Sequence, residues 1–336
     1  MKKDQIIQKK WQLLRWRSRA ERAELQDADF LAVGRRAFYK CRTLEEVILP
    51  PRMSVIKSEA FCGCRRLFEV TLPDDSSVGI SNRAFADCAR LREVKNTTLI
   101  TRIGVRAFEN CTFLTDLELG RDLRSIGEYA FSGCATLTSV ALPSSLGQMG
   151  KGAFQGCTSL KKLQLEEGCT ALAPHAFRDC ISLAEAELPT NLRTLPKGVF
   201  AGCVSLREMS LPTGIREIGA RAFEGCTRLQ TVTMENGLEK IGSRAFADCG
   251  RLETVRVPNT LKKIGLGAFG FGKKEEKVTL LVETEYMKKR LQSKLRMALC
   301  AGRVQIIVTG KSIEERKRER RRARLEQTPT HILDQE

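Results

Sequence analysis

Histidine is almost missing from this 336-residue chain: only His175 and His331 occur. Neither sits in an H-E-x-x-H zinc pattern, and no G-x-S-x-G nucleophile elbow exists. The stretch Val304-Gln305-Ile306-Ile307-Val308-Thr309-Gly310-Lys311-Ser312 reads strand, then G-K-S. A phosphate-cradling loop needs a further glycine five residues before Gly310, where Gln305 stands. His175 falls at a variable position and is expected to face outward. These gaps predict a protein that is not an enzyme and holds no cofactor or metal. No run of about 18 apolar residues exists to make a membrane helix. The basic N-terminal stretch lacks the apolar core of a signal peptide, so the expected location is cytoplasmic, with the cell surface as the alternative.

What the sequence has in abundance is repetition. The unit I-G-x-x-A-F-x-x-C-x-x-L-x-x-V-x-L-P recurs from Phe38 through Phe269, with its phenylalanines 23 residues apart, except for 24 between Phe61 and Phe85. Such a period predicts a solenoid. Ten cysteines follow a phenylalanine by three residues (Cys41 to Cys249), and a leucine follows each cysteine by three. An alternating apolar pair, such as Val140 and Leu142, then predicts a short strand with one buried face. Prolines such as Pro143 and Pro258 stop it, since proline cannot donate to a ladder. The A-F-x-x-C segment is expected to form one helical or 3-10 turn. Gly104, Gly127, Gly150, Gly219, Gly242 and Gly265 are expected to permit a backbone bend.

No unit can bury its apolar groups alone, so each coil packs on its neighbours, strands pair in parallel, and the phenylalanines form a continuous spine. Asn96 and Thr97 replace the Leu-Pro pair after Val94, so that strand should end irregularly. The thirteen cysteines look like a disulfide set, but ten share one repeat position with parallel Cβ vectors, which a disulfide does not tolerate. A reduced, buried thiol ladder is expected. Cys62 and Cys300 stand outside it and are expected to be the exposed ones.

These units resemble the BspA-like class of leucine-rich repeat proteins, over about Phe30 to Gly270. The resemblance implies a leucine-rich repeat arc, an α/β solenoid with a parallel concave sheet and short helical or 3-10 turns on the convex side. It also implies protein recognition, often adhesion by host-associated bacteria or protists.

Four segments are expected. Residues 1–26 read as a basic helical N-terminal cap, with Ile7, Trp11 and Leu14 on one stripe. Residues 27–270 form the solenoid of ten to eleven coils. Residues 271–310 form a C-terminal cap, with a strand at Val278–Val282, a helix from Glu285 to Leu299 and a strand at Val304–Val308. Residues 311–336 are a basic charged tail. Of the net charge of +17, the first segment holds eight Lys/Arg against three Asp/Glu, and residues 271–336 hold seventeen against ten. The basicity therefore belongs to the ends, which could touch nucleic acid or anionic membrane nonspecifically. No aromatics interleave with the tail arginines, so base stacking is not indicated.

The repeat body offers the recognition surface. Its outward strand positions place Glu46, Glu69, Glu93, Asp116, Ser139 and Lys162 in one row, with Glu118, Ala141 and Gln164 in the next. The first half of that row is acidic, which suits a basic protein partner; the small Ser139 and Ala141 could admit a bulkier side chain. The leading expectation is a scaffold binding a protein of unknown identity on this concave face. The alternatives are a surface adhesin and a nucleic-acid or membrane tether acting through the ends; a homo-oligomer is also open.

Overall fold

The computed structural model describes residues 21–24, 31–270, 278–297 and 304–310. They form a parallel-strand β-solenoid of about 12 turns with little helix. Each regular coil contributes to two ladders. A longer-strand ladder runs through Arg22–Glu24, Glu46–Ile48, Glu69–Thr71 and Glu93–Lys95, resumes at Ser139–Leu142, and continues through the later coils. A shorter-strand ladder carries Val55–Ile56, Val78–Ile80, Ile100–Ile103 and their counterparts. All pairs are parallel, with partners usually 23 residues apart, as in Ser139↔Lys162.

Between the ladders runs the core. Eleven phenylalanines from Phe38 to Phe269 stack with ring centroids 5.0–5.9 Å apart. All are at most 2% exposed. The spine expected from the repeat is therefore present.

The A-F-x-x-C segment is neither α-helical nor 3-10. Its amides alternate in direction. Phe131 N donates to Ala153 O of the next coil at 2.7 Å, and Gly133 N to Gln155 O at 2.8 Å. Ser132 N and Cys134 N instead close turns within the coil, on Tyr129 O and Phe131 O. A 3-10 helix would direct every amide inside its own coil and leave none to join the stack. Alternation requires left-handed backbone two residues before and two residues after each phenylalanine. Positive φ occurs there in coil after coil: Arg106 at 55° and Asn110 at 60°, Tyr129 at 54° and Gly133 at 76°. Apart from Lys40, the second position after the phenylalanine is filled by residues that tolerate this conformation, Gly63, Asp87, Asn110, Gly133, Gly156, Asp179, Gly202, Gly225 and Asp248.

The repeat glycines do something other than bend. Gly104, Gly127, Gly150, Gly219, Gly242 and Gly265 have no left-handed φ. A Cβ on Gly104 would lie 2.6 Å from Asn82 N, and one on Gly219 would lie 2.6 Å from Leu195 O. Glycine is needed because two backbones of successive coils nearly touch.

The cysteines pack as a ladder. Cys64 Sγ donates to Phe38 O at 2.9 Å, Cys88 Sγ to Phe61 O at 3.0 Å, and the pattern repeats to Cys249 on Phe223 O at 3.1 Å. The thiol is more than a small hydrophobe: it gives the phenylalanine carbonyls from Phe38 to Phe223 a second donor beside the turn amide. Cys62 departs from expectation. It is 4% exposed, because its segment lies against the neighbouring coils and Lys40 N donates to its carbonyl. Cys300 lies outside the described residues. His175 is only half-buried rather than outward-facing, at φ 60°, with its ring lying over Gly198. Its Nδ1 is buried without a hydrogen-bond partner among the described residues. Burial, then Arg178 and Lys197, hold its pKa below the ordinary value.

Burial pushes the thiols of Cys88, Cys134, Cys180, Cys203 and Cys249 well up, and that of Cys226 up to about 12. A thiol with a raised folded pKa holds its proton longer in the folded state. Its contribution to stability is complete below the unfolded value, about 8.5, and is lost as pH rises toward the folded one. Urea midpoints should therefore fall steadily from about pH 8.5 upward, and native labelling of Cys62 and the ladder should be slow at neutral pH. Fast labelling, or stability flat across the alkaline range, would contradict the thiol ladder.

At the C-terminal end, Val278–Val282 and Val304–Val308 extend the longer-strand ladder in parallel. Between them Glu285–Met297 is an α-helix, with Thr284 Oγ1 accepting from Met287 N at 3.2 Å as its N-cap. Met287, Leu291 and Leu295 face the core, and Lys294 Nζ donates to Lys262 O. Among the described residues no helix is long and apolar enough to cross a membrane. Of the expected N-terminal cap helix, only residues 21–24 are described, and Arg22–Glu24 is a strand. The expected tail, 311–336, lies outside the described residues.

Candidate interaction surface

The longer-strand ladder brings the sequence-selected residues together in two rows. Glu46, Glu69 and Glu93 are direct neighbours, as are Ser139, Lys162 and Glu185. Ala141, Gln164 and Glu187 align beside the latter set. Their intervening side chains, such as Val47, Val70 and Leu163, are fully buried, so the strand's alternation leaves the rows on the outer face.

The acidic row is partly neutralised. Arg22 lies 3.3 Å from Glu46, and Lys95 lies 2.6 Å from Glu69. That hydrogen bond raises the Lys95 pKa. Farther along, Lys162 pairs with Glu187 at 3.3 Å, and Gln164 Nε2 donates to the same carboxylate at 3.4 Å. Glu93, Asp116 and Glu118 are exposed, and no ion pair reaches them among the described residues.

Asp116 and Glu118 are not on a strand. The ladder stops after Glu93–Lys95 and resumes at Ser139–Leu142. The cause is local to Asn96, which is left-handed (φ 62°, ψ 33°) and starts a 3-10 turn over Thr97–Leu99. Asn96 Nδ2 donates to Leu72 O at 2.8 Å, and Thr97 Oγ1 to Glu118 O at 2.7 Å. Side chains thus occupy carbonyls where strand amides would otherwise pair. An open depression of about 660 Å³ results, lined by Asp116, Glu118, Ser139, Ala141, Glu166 and Arg121, among others.

A second break separates Glu185–Glu187 from Glu208–Ser210. Ala186 stands there in the inward slot that Val140 and Leu163 fill elsewhere, and it is only partly buried. A second open depression of about 1140 Å³ lies over it, lined by Lys161, Lys162, Arg207 and Arg228 and by Glu185 and Glu208. Sequence reading missed this feature, although an alanine in a Val/Leu slot was its visible signal. Among the described residues no group of three or more His, Cys, Asp or Glu could hold a metal ion.

The family model for the BspA type leucine rich repeat region matches residues 31–161, 101–214 and 195–293. The chain therefore belongs to the BspA-type leucine-rich repeat family, whose members are typically non-enzymatic interaction scaffolds. Among solved structures, a leucine-rich repeat protein from Bacteroides ovatus is similar at 22% identity, covering 72% of this chain and 88% of that one, with a TM-score of 0.37. The pneumococcal vaccine antigen PcpA is similar at 18% identity, covering 86% and 85%, with a TM-score of 0.39. The T. pallidum leucine-rich repeat protein is similar at 25% identity, covering 72% and 80%, with a TM-score of 0.34. No curated protein matches the sequence.

Proposed function

We propose that this protein is a scaffold that binds a protein partner through the outer face of the longer-strand ladder, with a basic segment of the partner over Glu93, Asp116 and Glu118. The observation that carries this reading is that Asp116 and Glu118, exposed and outside any ion pair among the described residues, line the depression at the first ladder break, with Glu93 on the last strand before it. Glu46 and Glu69, on the neighbouring coils, are answered within the chain by Arg22 and Lys95. Carboxylates outside ion pairs are free to receive external cations, and Ser139 and Ala141 leave room for a long side chain.

Partners recovered by pull-down with the full chain provide the test. Replacing Glu93, Asp116 and Glu118 together by lysine should weaken their binding by about tenfold or more, because like charges would then face each other across the contact. The wild-type association rate should fall as salt rises, since exposed charges are screened within about 8–10 Å. Thermal stability should not change. Deleting residues 311–336 should leave binding intact. If charge reversal has no effect and tail deletion abolishes binding, the basic tail is the functional element and this reading is wrong.

A further inference from the structure

We propose that the free edge of strand Val304–Val308 is a self-pairing surface, joining two copies of this chain antiparallel about a twofold axis through Ile306. The strand is the terminal member of its sheet among the described residues, paired on one side only, with Val278–Val282. Its sequence, V-Q-I-I-V, holds no charge and no proline. Natural sheet edges are usually blunted by lysine, proline or a bulge, and this one carries none of them. The opposite edge of the ladder, Arg22–Glu24, is charged at two of its three residues.

Burial points the same way. Val278, Leu280 and Val282 are covered to 5% exposure or less, whereas Val304, Ile306 and Val308, the next layer out, are only partly buried. Among the described residues the apolar core thus runs on to the edge and is not closed there. Leu266, Tyr286 and Ile307, three of the large exposed apolar residues, belong to the last coil and the cap.

The following chain is a poor cover. Residues 311–336 carry eight Lys/Arg and six Asp/Glu, with five apolar residues that show no strand-like alternation. A second copy supplies what is lacking: an identical uncharged edge. Centred on Ile306, antiparallel pairing sets Val304 opposite Val308 and Gln305 opposite Ile307 of the other copy. Such an isologous contact uses up both edges and closes at two subunits, whereas pairing with the Arg22–Glu24 edge would propagate into a filament.

The register makes the proposal testable with outward-facing residues alone, since Gln305 and Ile307 are both exposed. Sedimentation of the full chain across the micromolar range should give a dimer. The double variant Gln305→Lys/Ile307→Lys sets lysine against lysine across the twofold and should weaken dimerisation by at least about tenfold. The variant Gln305→Glu/Ile307→Lys sets opposite charges there and should remain dimeric. A wild-type chain that stays monomeric overturns the proposal, and so does a double-lysine variant that dimerises like wild type.

Discussion

Replacing Phe154 by alanine should break the protein's unfolding into two transitions. Phe154 is fully buried and stacks on Phe131 at 5.0 Å and on Phe177 at 5.4 Å. Replacing a buried phenylalanine by alanine costs about 3–5 kcal/mol, the lost ring stacks included. In a stack, coils couple only to their neighbours, so a loss of this size at the middle weakens the link between two halves that are each still continuous. Phe38→Ala should behave differently. Among the described residues Phe38 has one stacked neighbour, Phe61 at 5.0 Å, and its loss should fray one end while the main transition stays in place. Calorimetry of the two variants separates the cases. A single cooperative transition in Phe154→Ala, shifted little from wild type, would mean that the spine does not carry the coupling between coils.

Gly127→Ala should be nearly as damaging, although it adds only a methyl group. The new Cβ would lie 2.5 Å from Gly104 C, and closer still to Val105 N. Both are backbone atoms of the preceding coil, held by the ladders on either side, so no flexible side chain can move aside. Overpacking of a well-filled site costs about 1–3 kcal/mol, and a backbone clash belongs at the upper end. The useful contrast is Gly225→Asn. Gly225 is left-handed at φ 76°, but a Cβ there would meet nothing closer than 3.8 Å. Asn110 already occupies the same repeat position at φ 60°. Gly225→Asn should therefore change the urea midpoint little. If the two variants prove equally mild, the coils are not in backbone contact at the repeat glycine.

Several features of the surface are legible in the amino-acid sequence, for identifiable reasons. The rows of Glu46, Glu69 and Glu93 and of Ser139 and Lys162 follow from the repeat period, 23 residues with one extra residue before Glu93, and from strand alternation, since both fix which side chains stack and which face they take. The irregular end after Val94 is visible as Asn96 and Thr97 in the Leu-Pro slot. That the irregularity removes Asp116–Glu118 from the ladder is not visible, because it depends on Thr97 reaching the Glu118 carbonyl one coil away. The pairings Arg22–Glu46 and Lys95–Glu69 are equally hidden: side-chain reach between coils is a matter of rotamers, not of spacing.

By itself the sequence determined the period, the phenylalanine spine, the leucine and cysteine rows and the strand-helix-strand order of the C-terminal block. All but the last are recurrences of residue types, and burial of recurring apolar groups has essentially one solution, stacking. Only the tertiary structure decided the rest. The turns on the A-F-x-x-C side alternate instead of forming 3-10 helix, because their amides must be shared between a residue in the same coil and one in the next coil, as Ser132 and Gly133 divide theirs. The repeat glycine is glycine because of what lies a coil away, at Asn82 for Gly104, rather than because of its own backbone angle. Cys62 is buried for the same kind of reason. In a solenoid the decisive contacts lie about one period apart along the chain, so local patterns announce which residues stack but leave to the packed coils how the backbone hydrogen bonds are divided between them.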